Sequence, residues 1–268
     1  MRKLSLREIQ NEELDILKYV VDILEENNLR YSLLGGTLLW AIRHRGFIPW
    51  DDDIDIGMPR PDYNKLIKLF NQVNKKKNIE LQAYELNNSF LPFCKVVNRD
   101  IEIKDHSICD QEKRFLWIDI FPMDAFPEDE KNLDNMFKKL EICKKMIYIN
   151  YYKNKITKDS NWVKFVKRML LKPIASFITA QTIINYACKE DYNTAISIGN
   201  MVWGYGKVEK IPKDYYDNLI EVEFENIKFK GFKSYNQYLS QIYGDYMQLP
   251  PVEKRVTHNI EAWIKNKF

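Results

Sequence analysis

The sequence predicts an α/β fold, a mixed-sheet core with an added helical lobe. Three observations predict it. Helical periodicity and short β-branched runs alternate through the first 127 residues. Residues 128 to 202 then read mostly as helix, and one more strand-like run follows in the C-terminal part. Alternation of this kind builds layered α/β architectures, whereas an uninterrupted helical stretch builds a separate layer or lobe. The expected division is 1–127 as the core, 128–202 as the helical lobe and 203–268 as a C-terminal segment.

Elements follow in order. Ser5 and Glu8 have capping-box spacing, and Leu14, Leu17, Val21 and Leu24 recur at helical intervals, which predicts a helix over about 6–27. "YSLL" at 31–34 is a short strand ending at Gly35-Gly36, and a second helix is expected over 37–44. Pro49 interrupts, and "DIDIG" at 53–57 alternates as a half-buried strand does. A helix is expected over about 61–74, and then strands at "ELQAYEL", "FCKVV", "IEIK" and "LWIDIF". "ENIKFKG" and a helix around 234–243 complete the C-terminal part, and Pro250-Pro251 impose extended backbone.

Composition excludes several functions. With 268 residues, 45% hydrophobic and 29% charged, the chain is of ordinary globular type. A formal net charge of +3 does not suggest bulk nucleic-acid binding, and no nucleic-acid partner is expected. Cys94, Cys109, Cys143 and Cys188 are far apart and form no CxxC pair, so they read as free thiols in a reducing compartment. The acidic N-terminal stretch lacks the apolar segment of a secretion signal, and no run approaches a membrane span. The expected location is cytoplasmic.

The chemistry concentrates in "GGTLLWAIRHRGFIPWDDDIDIG", residues 35–57. Asp51, Asp52, Asp53 and Asp55 crowd into five positions, and carboxylates that close repel unless a positive group lies between them. On a strand, Asp53 and Asp55 would point to one face with backbones roughly 6–7 Å apart. That spacing suits Mg²⁺ or Mn²⁺, which one or two carboxylates hold together with substrate phosphates. Asp51 and Asp52 would support from the preceding turn. A solvated acidic turn is the plain alternative, but it leaves the neighbouring Gly-Gly turn unexplained. Gly35-Gly36, between a strand and a helix, would let backbone N–H groups approach phosphate at the helix N-terminus. Asp119, between Ile118 and Ile120, is the candidate third carboxylate, while Asp124 beyond Pro122 reads as a turn residue.

The blocks "GGTLLWAIRHRGFIPWDDDIDI", "WIDIFPMD" and "YGDYMQLPPVEKRVTH" resemble the LicD family of phosphotransferases, which is similar to nucleotidyltransferases and to fukutin-type proteins. The resemblance implies a nucleotidyltransferase-like core, with the C-terminal segment returning to the active site. By position it implies that Asp53, Asp55 and Asp119 hold Mg²⁺ (or Mn²⁺) and are catalytic. It also implies that Gly35, Gly36, Thr37, Arg43, His44, Lys95, Arg255 and His258 bind substrate. Trp40 stands where the family usually has Gly.

The implied reaction moves phosphocholine from CDP-choline to a sugar hydroxyl of a bacterial glycan precursor, releasing CMP. Asp119 would help deprotonate the hydroxyl, and Arg43, Lys95 or Arg255 would balance leaving-group charge. The alternatives are another CDP-linked alcohol (ribitol, glycerol or ethanolamine type), a CTP-dependent nucleotidyltransferase releasing pyrophosphate, and a non-enzymatic nucleotide-binding module. The acceptor glycan is expected to be lipid-linked, of teichoic acid or lipopolysaccharide type. Candidate aromatics for a quaternary ammonium are Trp40, Trp50, Trp117, Trp203, Tyr205 and Tyr246. "WVKFVKRMLLKPIASFITA" at 162–180 reads as a core-facing helix with a basic outer side. Contact with the inner face of the cell membrane is the secondary expectation there.

Overall fold

The computed structural model describes residues 1–104, 114–151, 162–251, 255 and 260–265. It opens with β1 (Arg2–Lys3) and α1 (Leu6–Glu26). The expected capping box is present: the Ser5 side chain accepts from the Glu8 N–H, and Glu8 accepts from the Ser5 N–H at 2.8 Å. Leu14, Leu17, Val21 and Leu24 are all buried.

After β2 (Ser32–Leu33), α2 (Gly35–His44) begins two residues earlier than the sequence predicts, so both glycines form its first turn rather than a turn before it. Gly35 makes this possible with φ +50, a left-handed conformation that side chains rarely adopt. β3 (Asp55–Pro59) begins later than expected, so Asp53 precedes the strand instead of lying on it. The cause is tertiary. The Gln10 amide of α1 donates to the carbonyls of Asp51 at 2.8 Å and Ile48 at 3.4 Å, which ties this stretch to the helix.

α3 (Arg60–Val73) follows directly, with Pro61 in its first turn. Next come β4 (Ile79–Gln82), a 3₁₀ turn at Tyr84–Leu86, and β5 (Cys94–Lys104). "FCKVV" and "IEIK" are therefore one strand, irregular where the register shifts between Asn98 and Glu102. β6 (Arg114–Ala125) runs through Pro122, which corrects the reading of Asp124 as a turn residue. That side chain is 1% exposed on the strand.

The segment after Pro127 contains α4 (Glu130–Tyr151), α5 (Trp162–Ala175) and α6 (Ala180–Ala187), then the unpredicted β7 (Ser197–Gly199). β8 (Ile211–Pro212) and the hairpin of β9 (Leu219–Phe224) and β10 (Ile227–Phe232) follow. β9 was not expected: its acidic residues, Glu221 and Glu223, mask a strand whose other face buries Val222 and Phe224. α7 (Tyr235–Tyr243) and β11 (Glu261–Ile264) complete the order.

The main sheet runs β1-β11-β5-β6-β3-β2, with β4 also on β5 and β7-β8 continuing from β6. β3 and β6 pair parallel, and the other described pairs are antiparallel, which gives the mixed sheet the sequence predicts. Leu133, Leu140, Ile147 and Ile183 from α4 and α6 join the same hydrophobic cluster as the sheet residues. The expected core-facing orientation of 162–180 does not hold at its C-terminal end: Met169, Leu170, Ile174 and Phe177 are 60% or more exposed. Among the described residues, no helix is long and apolar enough to cross a membrane.

Candidate active site

Three adjacent strands bring three charged residues into one row. Asp55 of β3 lies opposite Asp119 of β6, and Lys95 of β5 lies opposite Asp119 from the other side. Residues in register on neighbouring strands share a face, with strands about 4.8 Å apart. The Lys95 Nζ donates to Asp119 Oδ1 at 2.6 Å, and the Trp117 indole N–H donates to Asp119 Oδ2 at 3.2 Å. The Lys95 ammonium also sits 4.1 Å from the Trp117 ring centre. Both carboxylate oxygens of Asp119 are thus aimed by neighbours.

The start of α2 adjoins this row. The backbone N–H of Asp55 donates to the Thr37 hydroxyl at 2.8 Å, and Thr37 is fully buried. Thr37 therefore helps fix the start of the aspartate strand. The Gly35 N–H donates to the Tyr238 hydroxyl at 3.1 Å. A side chain at Gly35 would meet Tyr243 Oη at 3.6 Å and Asp55 Oδ2 at 3.9 Å, so the helix start, Tyr243 and Asp55 are immediate neighbours. Nothing in the sequence marked Tyr238. Tyr243 opens the quoted block "YGDYMQLPPVEKRVTH", but only packing shows why it matters.

Electrostatically the site is short of positive charge. Burial, then Asp53 and Asp119, push the Asp55 carboxyl well above the usual carboxylate range. On α1, Glu13 is 1% exposed and its Oε2 has no hydrogen-bond partner. The sequence reading missed Glu13, although it interrupts an apolar helix face. Among the described residues no group of three or more His, Cys, Asp or Glu side chains forms a ready metal cage. Magnesium does not require one, because it takes one or two carboxylates and fills its remaining positions with water and phosphate oxygens. The hard oxygen donors of Asp53 and Asp55 fit such a cation, and the helix that holds their loop through Gln10 also carries a buried carboxylate oxygen, Glu13 Oε2, with no hydrogen-bond partner.

The basic residues divide. Arg43, expected to bind substrate, holds two neighbours: its Nη1 donates to the carbonyl of Tyr246 at 2.7 Å, and its Nε donates to His44 Nδ1 at 3.3 Å. It ties α2 to the segment after α7. Burial and then Arg43 lower the His44 pKa. The Arg255 guanidinium stacks 4.6 Å from the Trp50 ring centre, beside the aspartate loop, and its Nε donates to the Pro250 carbonyl. Arg255 thus lies against Trp50, the residue before Asp51. His258 lies outside the described residues. Trp40 is core: it is 1% exposed and packs on Phe47 and Phe224. Tyr246 is also buried.

Tyr205 differs from these. It is 60% exposed, and its hydroxyl shares a 3.2 Å hydrogen bond with that of Tyr243. It borders an open groove of about 810 Å³ lined also by Phe137, Lys138, Ile142 and Lys145. Glu209 anchors this loop by accepting from the Tyr205 N–H at 2.5 Å. Burial pushes its carboxyl from the ordinary 4.5 up to about 7. A carboxyl raised on folding holds its proton more tightly in the native state. Its contribution is complete below pH 4.5 and is lost as pH rises through 7. Glu209→Gln should remove about 3 kcal/mol of pH-dependent stability across that window. Urea denaturation of both proteins at pH 4.5, 6 and 8 reads this directly, and parallel profiles would refute it.

Comparison with known proteins adds to this geometry. Residues 28–175 match the LicD/FKTN/FKRP nucleotidyltransferase domain. The lipopolysaccharide cholinephosphotransferase LicD of Haemophilus influenzae is 34% identical over 276 aligned positions, covering 98% of this chain and 100% of that protein. An uncharacterised protein of Rickettsia prowazekii is 32% identical over 116 residues, 42% of this chain and 39% of its own. Human ribitol 5-phosphate transferase FKRP is 54% identical over 41 residues, 15% of this chain and 8% of that protein.

Proposed function

Because the chain belongs to the LicD/FKTN/FKRP nucleotidyltransferase-domain family, we propose that it transfers phosphocholine from CDP-choline to a sugar hydroxyl of a bacterial cell-surface glycan precursor, releasing CMP. At the coarser level it is a transferase of phospho-alcohol groups. One observation carries the reading: the Asp55–Asp119–Lys95 row lies beside the N-terminus of α2, so carboxylates, an ammonium and a helix start meet at one place.

The residues divide the work. When bound, a divalent cation would neutralise the donor pyrophosphate and draw charge from the leaving CMP. Asp53 and Asp55 would hold it. Asp119, with both oxygens directed by Lys95 and Trp117, would take the proton of the acceptor hydroxyl. Lys95 would balance charge on the transferred phosphoryl group. Arg255, stacked on Trp50, would be the second cation for this purpose, and Arg43 would also hold α2 to the segment after α7. The glycan would approach across the exposed ring of Tyr205 from the adjoining groove.

The test is CMP release from CDP-choline with Mg²⁺, with and without a crude lipid-linked glycan fraction. Acceptor-stimulated release is expected. Pyrophosphate release from CTP in place of CMP release would assign a nucleotidyltransferase reaction. No release from CDP-choline, with turnover of CDP-ribitol or CDP-glycerol, would move the proposal to another head group.

A further inference from the structure

Glu13 occupies a position where the helix periodicity calls for an apolar side chain. Ile9, Ile16, Leu17 and Val20 surround it on the same face of α1, each 2% exposed or less. An unpaired carboxyl in such a stripe is costly, and nothing in helix formation requires it. Its Oε2 has no hydrogen-bond partner. One turn earlier on the same face, Gln10 spends its amide on the carbonyls of Ile48 and Asp51. This face of α1 therefore clamps the loop that carries Asp51, Asp52 and Asp53. The helix also packs on β6, the strand of Asp119. Burial, and then the charges of Asp53, Asp52, Asp119 and Asp51, push the Glu13 carboxyl well above the usual carboxylate range.

We propose that Glu13 is a positioning residue of the cation site: its buried carboxyl supplies part of the negative charge that a divalent cation neutralises when Asp53 and Asp55 hold it. The inference rests on the metal reading above. It explains why a carboxyl is buried among carboxyls, an arrangement that is unfavourable until a cation enters. Outer groups of this kind typically contribute about 10- to 100-fold to metal affinity.

The experiment is Mn²⁺ titration of the full chain by calorimetry, paired with thermal melting with and without Mn²⁺. Glu13→Gln keeps size and removes the charge. It should weaken Mn²⁺ binding about tenfold or more, shrink the Mn²⁺-induced rise in Tm, and leave the metal-free Tm equal or higher. Glu13→Asp should bind with intermediate affinity. A purely structural Glu13 would give the opposite pattern, a lower metal-free Tm with wild-type Mn²⁺ affinity, and that result overturns the proposal. If Glu13→Gln does not fold, wild-type affinity in Glu13→Asp overturns it instead. Asp53→Asn is the control that separates the two readings. Binding by wild type that is lost in Asp53→Asn upholds the metal site whatever Glu13 does. Absence of Mn²⁺ binding by wild type removes the metal site and this inference together.

Discussion

Asp55→Asn is expected to lower kcat for CMP release by about 1000-fold, equivalent to roughly 4 kcal/mol of lost transition-state stabilisation. The fold should not suffer. Asp55 is half-buried, close to the charges of Asp53 and Asp119, and its backbone N–H, not its side chain, makes the bond to Thr37. Replacing it with the neutral amide removes repulsion, so Tm should be unchanged or higher. Kinetics and melting of the same preparation separate the two effects. More than a tenth of wild-type activity in the variant would place the cation and the chemistry elsewhere.

Arg60→Met should be the most destabilising single change proposed here. Arg60 and Asp124 form a paired contact, Nε to Oδ1 at 2.5 Å and Nη2 to Oδ2 at 2.8 Å, with both side chains almost fully buried. Asp124 holds the guanidinium firmly in its charged form. The pair joins the first residue of α3 to β6, five residues past Asp119. Removing one partner of a buried pair leaves a charge unsatisfied and costs about 3–5 kcal/mol. The double change Arg60→Met with Asp124→Leu should recover most of that loss, because two apolar side chains avoid the desolvation cost. Urea midpoints of the single and double variants measure both numbers. A single-variant loss below about 1 kcal/mol would contradict the account.

The two predictions differ in how far the sequence led to them. Asp55 stood out because four aspartates in five residues demand an explanation, and the resemblance to a phosphotransferase family supplied one. Asp124 looked like part of a turn because it follows a proline. The strand carries through Pro122 because the parallel partnership with β3 continues to the Pro59–Met123 pair. Lys95 was assigned by resemblance alone, and its contact with Asp119 is a fact of strand register. Arg43 and Thr37 were assigned to substrate by resemblance, and the structure adds the contacts that hold them: Arg43 to Tyr246 and His44, Thr37 to Asp55.

What the sequence determined by itself was local. The capping box and apolar spacing of α1 involve residues within a few turns of one another, so short-range forces suffice to specify them. The alternation of short strands and helices likewise pointed to an α/β core with a mixed sheet. The tertiary structure decided everything that depends on distant pairing. Gln10 meets Asp51, Lys95 meets Asp119, Arg60 meets Asp124, and Glu13 is buried on the helix face that holds the aspartate loop. Those distances collapse only when strand register and helix packing are set together. Burial also changes the meaning of a charge: a carboxylate that would be a plain surface residue in water becomes, once desolvated, a group that must find a partner.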